Sequence, residues 1–233
     1  MKALLVDLDD TLLDYTGGVN ESWLEACRAV ATPAGLDAIA LADTIGRTRR
    51  WFWDEPVRAQ LARLSMIESW ATIAGHALAE LGAPNNAMAA AIAEDFAARR
   101  WHRMALFPGV EKALDRLHAS GVALALVTNG DTRQQRRKVE QYGLARFFDL
   151  IQIEGEFGVG KPDEAVYRHV LSALGAGPSD AWMVGDNLEW DVAAPQRLGL
   201  TGVWVDGPGQ GLPSGNPIVP HRIIRSFPEL LVD

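Results

Sequence analysis

A chain of 233 residues is long enough for one large domain, or for a core that carries an inserted second domain. Its composition, 48% hydrophobic and 22% charged, is typical of an ordered globular protein. The formal net charge of −8 argues against a general nucleic-acid binder and against a protein attracted to anionic membranes. Because Cys27 is the only cysteine, the composition also excludes an intramolecular disulfide and a thiolate zinc site.

The N-terminal segment has a four-residue apolar run before Asp7, which is too short for the core of a signal peptide. No apolar stretch of the sequence approaches the length of a membrane span. We therefore expect a cytoplasmic protein without a nucleic-acid or membrane partner. The sequence leaves its oligomeric state open between monomer and homodimer.

The first predicted element is a strand at Ala3–Val6, a short apolar run of the kind that is buried on both faces of a parallel sheet. Carboxylates follow it directly, at Asp7, Asp9 and Asp10, and such residues lie at the edge where open α/β sheets bind ligands. Strand alternation puts Asp7 and Asp9 on the same side, where they repel unless a cation or a shared proton separates them. The simpler interpretation is a solvated acidic turn with Thr11 as a helix cap.

Residues 14–104 carry a helical pattern without a strand-like run. We predict four helices: one capped by Asn20, one from about Asp37 towards Arg50, one with apolar positions from Leu64 to Leu81, and one over about Ala87 to Arg103. So long a helical block between two strands indicates an inserted helical bundle, or cap. The predicted domains are a catalytic core of residues 1–13 and 105–233 and a cap of residues 14–104.

After Pro108-Gly109 the pattern changes to alternating strands and helices. The predicted strands are Val122–Val127, Leu150–Ile153, Ala181–Val184, Gly202–Val205 and Ile223–Ile224, with a helix from Asp191 to Leu198 before the fourth of them. This alternation predicts an α/β fold with a doubly wound parallel, Rossmann-like sheet.

Further polar residues follow the predicted core strands. Thr128-Asn129-Gly130 ends one strand and begins a helix, which suits an oxyanion or phosphate. Lys161 follows a glycine-rich loop, and Asp186 and Asp191 follow the strand Ala181–Val184. Each of these features alone is typical of a turn, a surface lysine or a helix cap. Their coincidence with Asp7 and Asp9 at one sheet edge favours a catalytic site, since clustered acids hold Mg²⁺ and Thr128 and Lys161 bind phosphoryl oxygens.

In these residues the sequence resembles the haloacid dehalogenase-like (HAD) superfamily of phosphohydrolases. The family's four motifs are matched in order by residues 7–11 (DLDDT), 128–130 (TNG), 161–162 (KP) and 185–191 (GDNLEWD), and the helical block resembles a C1-type cap. One departure is Glu164, where many relatives carry proline, and we attach no functional weight to it.

The resemblance implies a Mg²⁺-dependent phosphohydrolase that acts on a small phosphorylated metabolite. Asp7 would attack phosphorus and form an aspartyl-phosphate, and Asp9 would protonate the leaving alcohol and then activate water. Thr128 and Lys161 complete the implied catalytic set, and the implied phosphate-binding residues are Thr128, Asn129, Gly130 through its amide, and Lys161.

The resemblance also implies the metal ligands. Mg²⁺ would be bound by the side chains of Asp7 and Asp186 and by the backbone carbonyl of Asp9. Asp191 would support these ligands without binding the ion itself.

Two alternatives share the fold. The 2-haloacid dehalogenases also use an aspartate nucleophile, but they need no metal and lack the second aspartate of the first motif, so Asp9 favours phosphate chemistry. A phosphomutase uses the same acids and returns the phosphoryl group to the sugar, and the sequence leaves it open.

Two other interpretations of the sequence are rejected. A signalling receiver module is about half this length and carries no large helical insertion. Residues 155–161 fit the P-loop pattern G-x-x-x-x-G-K, but Pro162 stands where a P-loop needs Ser or Thr.

The predicted cap carries a cluster of basic and aromatic residues in an otherwise acidic protein: Arg47, Arg49, Arg50, Trp51, Trp53, Arg58 and Arg63. One interpretation is a solvated basic face with tryptophans in the cap's own core. The other is a substrate-facing surface, in which Arg49, Arg50 and Trp53 contact the ester.

Overall fold

In a computed structural model, which describes residues 1–55, 58, 62, 63 and 65–231, the chain folds into two compact units. The core unit comprises Met1–Tyr15 and Ala105–Asp233, and the helical unit comprises Thr16–Met104. Asp14 and Tyr15 thus lie in the core unit, whereas the sequence assigned them to the cap. The reason is local hydrogen bonding: the Asp14 amide donates to the Ala105 carbonyl (2.9 Å), and the Tyr15 amide donates to Asp10 Oδ1 (3.0 Å).

The core unit contains a six-stranded sheet in which every neighbouring pair is parallel. Its strands are β1 Ala3–Val6, β2 Ala123–Thr128, β3 Leu150–Ile153, β4 Ala181–Gly185, β5 Thr201–Val205 and β6 Arg222–Ile224. The order β3-β2-β1-β4-β5-β6 confirms the predicted doubly wound topology. The chain moves outward from β1 on one side and then crosses to β4 on the other, so the carboxyl end of β1 lies at the switch point where such sheets bind ligands.

The helical unit is built from α1 Val19–Val30, α2 Ala38–Trp53, α3 Met66–Glu80 and α4 Asn86–Arg103, with a 3₁₀ turn at Thr32–Ala34. Its interior is aromatic: Trp23 stacks on Phe96 with ring centroids 3.8 Å apart, and Trp70 meets Phe96 edge-on at 5.0 Å. Leu64, which the sequence placed at the start of the third helix, lies outside the described residues.

Asn20 is not the cap of α1. The helix begins at Val19, one residue earlier, after Gly18 has taken a left-handed backbone conformation with φ 68°. The Asn20 side chain therefore projects from the first turn, and its Oδ1 accepts from Arg49 Nη1 at 3.1 Å.

The remaining helices pack around the sheet: α5 Val110–Ala119, α6 Thr132–Gln141, α7 Glu154–Phe157, α8 Glu164–Ala173 and α9 Ala194–Arg197, with 3₁₀ turns at Leu144–Phe147, Pro178–Asp180 and Phe227–Leu231. Against one face of the sheet, Tyr167 and Val170 of α8 pack among buried side chains of β1, β2 and β4. No helix of the described residues has the length and apolar character that crossing a membrane requires. The cytoplasmic location stays a prediction.

The helix predicted to begin at Asp191 begins earlier. A π-helical turn at Leu188–Ala193 precedes α9, because Asn187 Oδ1 accepts from the amides of Glu189 (3.1 Å) and Trp190 (3.0 Å) and starts the helical path there. Asp191 consequently lies inside this turn and is buried.

Candidate active site

Asp7 lies directly after β1 and continues its pairing, since its amide donates to the Val184 carbonyl of β4 at 3.0 Å. Its buried carboxylate is held at both oxygens. Lys161 Nζ donates to Oδ1 at 2.7 Å, and the Thr11 hydroxyl donates to Oδ2 at 3.1 Å. Thr11 therefore orients Asp7, and the simple acidic turn with a threonine cap is not what the chain forms.

Lys161 is a fully buried ammonium between two carboxylates. Its Nζ donates to Asp7 Oδ1 and to Asp191 Oδ1, both at 2.7 Å. Burial alone would lower the pKa of Lys161, but Asp191 and Asp7 outweigh burial and raise that pKa above its ordinary value. The ammonium thus stays charged and offsets negative charge at the end of β1.

Asp191 and Asn129 fix the position of Lys161. Asp191 Oδ2 accepts from the Asn187 amide at 3.0 Å, so both of its oxygens are engaged. The Asn129 side chain forms a two-way bridge to the backbone of Lys161: the Lys161 amide donates to Asn129 Oδ1 (2.8 Å), and Asn129 Nδ2 donates to the Lys161 carbonyl (2.7 Å). Two of the predicted motifs, 32 residues apart, are joined by this bridge.

Asp7, Asp186 and Asp191 form a carboxylate cluster, in which one oxygen of each lies within 4.8 Å of the others. Burial raises the pKa of Asp7 to about 7; the Lys161 ammonium opposes this rise, and the negative charges of Asp191 and Asp9 add to it. Asp186 keeps an exposed face, yet the surrounding protein, followed by the charge of Asp7, raises its pKa to about 8. Such excess negative charge on oxygen donors suits a hard divalent cation such as Mg²⁺.

The Asp9 carboxylate has a different set of partners. Lys138 Nζ of α6 donates to Asp9 Oδ1 (2.8 Å) and Oδ2 (2.7 Å), and Gln135 Nε2 donates to Oδ2 (3.1 Å). Among the described residues, the acidic cluster that could hold a metal does not include the Asp9 side chain. The predicted repulsion between Asp7 and Asp9 is therefore offset on the Asp9 side by a lysine.

The loop after β2 differs in one respect from what the resemblance implied. Thr128 lies there as expected, and its Oγ1 accepts from Gln135 Nε2 at 2.6 Å. The Gly130 amide, assigned to a phosphoryl oxygen, instead donates to Glu154 Oε2 at 2.9 Å. Glu154 is buried, so this amide joins the loop after β2 to the start of α7.

Sequence reasoning missed Gln135, Lys138 and Glu154. A signal existed for the first two: α6 reads TRQQRRKVEQ, and Val139 is its one apolar residue. Gln135 lies four residues before Val139 and so shares its face, and Lys138 lies three residues after Gln135, so both can border the buried face of α6. Glu154 gave no comparable signal, because its partner lies 24 residues away.

The basic stretch of the helical unit is partly neutralised. Arg47 pairs with Glu80 at 2.9 Å, and the Arg58 guanidinium lies over the Trp51 ring, 4.0 Å from its centroid. Trp53 packs against the hydrophobic core of the unit. Arg49 and Arg50 line a groove of about 590 Å³ that also contacts α1.

Comparison with known proteins extends these observations. Residues 1–199 match the model of the haloacid dehalogenase-like hydrolase family. Phosphoserine phosphatase from Thermus thermophilus is 39% identical over 225 residues, which cover 88% of this chain and 89% of that protein. This similarity confirms the predicted enzyme class, a phosphoric monoester hydrolase.

Solved structures share the fold over almost the whole chain. A 2-haloacid dehalogenase from Pseudomonas syringae is 26% identical with a TM-score of 0.64, covering 99% of this chain and 96% of its own. The HAD-hydrolase YfnB from Bacillus subtilis, bound to magnesium, has a TM-score of 0.75 at 22% identity, covering 98% of this chain and 96% of its own. With its motifs brought together at the end of β1 and a family model matched over residues 1–199, the chain belongs to the haloacid dehalogenase-like hydrolases.

Proposed function

We propose that this protein is a Mg²⁺-dependent phosphohydrolase that removes phosphate from a small-molecule ester through an aspartyl-phosphate on Asp7. The observation that carries the proposal is the setting of the Asp7 carboxylate. It lies at the switch point of the sheet, with Lys161 on one oxygen and Thr11 on the other. A carboxylate held in this way is oriented for in-line attack on a phosphorus atom.

In the first step an Asp7 oxygen forms a bond to phosphorus, and the bond from phosphorus to the leaving oxygen breaks. Asp9 has to take up a proton before this step, because the structure shows it as a carboxylate paired with Lys138. It gives that proton to the leaving oxygen, and the alcohol leaves. In the second step water attacks phosphorus, Asp9 takes the proton, and the bond between phosphorus and Asp7 breaks to release orthophosphate. Lys161 and the Thr128 hydroxyl stabilise charge on the phosphoryl oxygens, which is the main catalytic requirement of phosphoryl transfer.

The residues present fit Mg²⁺. Asp7 and Asp186, with the Asp9 backbone carbonyl, would hold it, and Asp191 would support the site by fixing Lys161. When bound, the ion neutralises charge on the cluster and on the phosphoryl group. The raised pKa values of Asp7 and Asp186 support this assignment, because burial and the neighbouring carboxylates disfavour their ionised forms even with Lys161 beside Asp7, and a cation would offset that negative charge.

The substrate class follows from chemistry and similarity together. Asp9 supports a phosphatase over a dehalogenase, since proton transfer to a leaving alcohol needs such a group. Phosphoserine is the first candidate, because the relative from Thermus thermophilus carries that specificity in its name. Hydrolysis, rather than return of the phosphoryl group as in a mutase, is also part of the proposal.

The test is hydrolysis of phosphoserine and of p-nitrophenyl phosphate by the wild type, by Asp7→Asn and by Asp9→Asn. Asp7→Asn should abolish turnover, Asp9→Asn should lower it by about 10²–10⁴-fold, and chelation should stop it until Mg²⁺ is restored. Asp115→Asn, an exposed position on α5, is the matched control and should keep wild-type activity. Undiminished hydrolysis by Asp7→Asn or in excess chelator would contradict the proposal, and halide release from a 2-haloacid without ester hydrolysis would replace it with a dehalogenase.

A further inference from the structure

Lys138 is a buried cation whose ion pair with Asp9 connects α6 to the loop after β1. Its side chain is 3% exposed, and its ammonium contacts both Asp9 oxygens. On another side it lies 4.0 Å from the centroid of the Tyr15 ring, at the last residue of the N-terminal core segment. A buried ammonium is costly unless it is well paired, so the position of Lys138 depends on Asp9.

Gln135, one turn earlier on the same face of α6, extends this contact. Its side-chain amide donates to Asp9 Oδ2, to Thr128 Oγ1 and to the Asn129 carbonyl, at 3.1, 2.6 and 3.0 Å. One helix face therefore holds Asp9 and Thr128 at a fixed distance from each other.

Without Lys138 and Gln135 as partners, the Asp9 carboxylate could instead turn towards the metal-binding carboxylates. It lies two residues from Asp7, beside a carboxylate cluster that suits a divalent cation. A carboxylate that turns to a cation becomes a ligand and is no longer available for proton transfer. The contacts with Lys138 and Gln135 oppose that rotation.

We propose that Lys138 is a positioning residue that holds the Asp9 carboxylate beside Thr128 and away from the metal-binding carboxylates. The inference rests on the proposed function, because it requires Asp9 to transfer the proton. Lys138 bonds to the Asp9 carboxylate and has no assigned contact with the ester, so its effect on the reaction has to act through Asp9.

The test compares Lys138→Met, which keeps the length of the side chain, on an alkyl ester and on p-nitrophenyl phosphate. We expect kcat/KM for phosphoserine to fall on the order of 10–100-fold, the size of loss that misplacement of a catalytic group causes. The loss for p-nitrophenyl phosphate should be much smaller, because its leaving group departs without a proton. Using kcat/KM restricts the comparison to the steps up to departure of the alcohol.

A double-mutant cycle supplies the second readout. In the Asp9→Asn background, Lys138→Met should cause no further loss, because the group it positions is already removed. Arg133→Met removes an exposed cation from the same helix and serves as the matched control. If Lys138→Met does not fold, as judged by its thermal melt, Lys138→Gln retains a donor and should show a smaller loss with the same dependence on the leaving group.

If Lys138→Met lowers kcat/KM equally for both esters, or causes its full loss again in the Asp9→Asn background, the role of Lys138 is merely structural and the inference is overturned. An unchanged kcat/KM, or a higher one for the alkyl ester, would overturn it as well. Failure of the proposed function is distinguishable, because it appears in the wild type as absent ester hydrolysis or in Asp7→Asn as retained hydrolysis.

Discussion

At the scale of single residues, the site is organised by charge. Asp7, Asp186 and Asp191 bring three carboxylates together, and Lys161 offsets one charge from between two of them. The Asp9 carboxylate is neutralised separately by Lys138. The protein thus keeps a negatively charged cluster for a cation and a paired carboxylate beside it.

The cluster makes the stability of the metal-free protein depend on pH. The pKa of Asp186 rises from 3.8 to about 8 and that of Asp7 to about 7, so between these limits the native state binds more protons than the unfolded state. Both groups therefore lower the free energy of unfolding as pH rises from about 4 to about 8. In chelator, Asp186→Asn should be more stable than the wild type at pH 8 by about 1–2 kcal/mol, allowing for solvent screening of Asp186, and little different at pH 4.

Denaturant unfolding at the two pH values measures this difference. Added Mg²⁺ should also raise the Tm of the wild type more at pH 8 than at pH 5, because the cation binds the ionised cluster. A stability difference between wild type and Asp186→Asn that does not change with pH would contradict the charge account.

At the scale of elements, the sequence predicts some parts of the site and not others. The strand at Ala3–Val6 and the residues at its end could be predicted, because buried parallel strands and their polar termini leave a local pattern. The partners of those residues depend on which helix face meets which loop. Lys138 lies in a helix of almost entirely polar residues, and the bond from the Gly130 amide to Glu154 depends on the helix that directly follows β3.

Helix ends show the same division. Asp37 and Asn85 cap α2 and α4 through local side-chain bonds that a sequence pattern can carry. The start of α1 was misplaced because Gly18, without a capping side chain, begins the helix by its backbone conformation alone.

Because the end of β4 packs closely against the π-helical turn, a methyl group added at Gly185 should strongly affect activity and stability. A Cβ added at Gly185 would lie 2.3 Å from Asp191 Cγ, and buried Asp191 could move only by disturbing its bond to Lys161. Gly185→Ala should therefore lower kcat more than 10-fold and cost about 1–3 kcal/mol of stability. Gly177→Ala is the control, since nothing lies within 4 Å of the added methyl and the backbone there is not left-handed.

Steady-state kinetics and thermal melts of the two glycine variants check this prediction. Wild-type kcat in Gly185→Ala would mean that the position of Asp191 is not required for catalysis.

At the scale of the whole molecule, the chain consists of a core unit built on a parallel sheet and a unit built from helices. The core unit carries the four motif regions, and the helical unit has its own aromatic interior. The domains could be predicted from the sequence because a long helical pattern follows a single strand. That pattern involves many residues, so a local error such as the misplaced helix start at Asn20 does not change the prediction.

The hypothesis that the helical unit takes part in substrate choice makes a kinetic prediction. Arg50 is exposed in the groove described above, so Arg50→Ala should raise KM for an ester with an additional carboxylate, such as phosphoserine, by about 10–150-fold, the value of one charge-assisted hydrogen bond. It should change KM for p-nitrophenyl phosphate much less. Arg28→Ala, an exposed arginine on α1 outside that groove, is the control. Arg49 and Trp53 are weaker probes, because Arg49 bonds to Asn20 and Trp53 packs in the core of the unit.

Equal KM values for wild type and Arg50→Ala on both esters would indicate that the basic groove is a solvated face. Specificity would then have to come from other residues.

The central claim is that Asp7 becomes phosphorylated during turnover, and rapid acid quench followed by peptide mass spectrometry tests it most directly. The Asp9→Asn variant, in which the second step is slowed, should be mixed with p-nitrophenyl phosphate and Mg²⁺ and quenched on the timescale of one turnover. We predict a phosphoryl group on the peptide that contains Asp7, its loss after reaction with borohydride to give homoserine at that position, and no label in the Asp7→Asn variant. Release of p-nitrophenol without any phosphorylated peptide, or a phosphoryl group on another residue, would contradict the account.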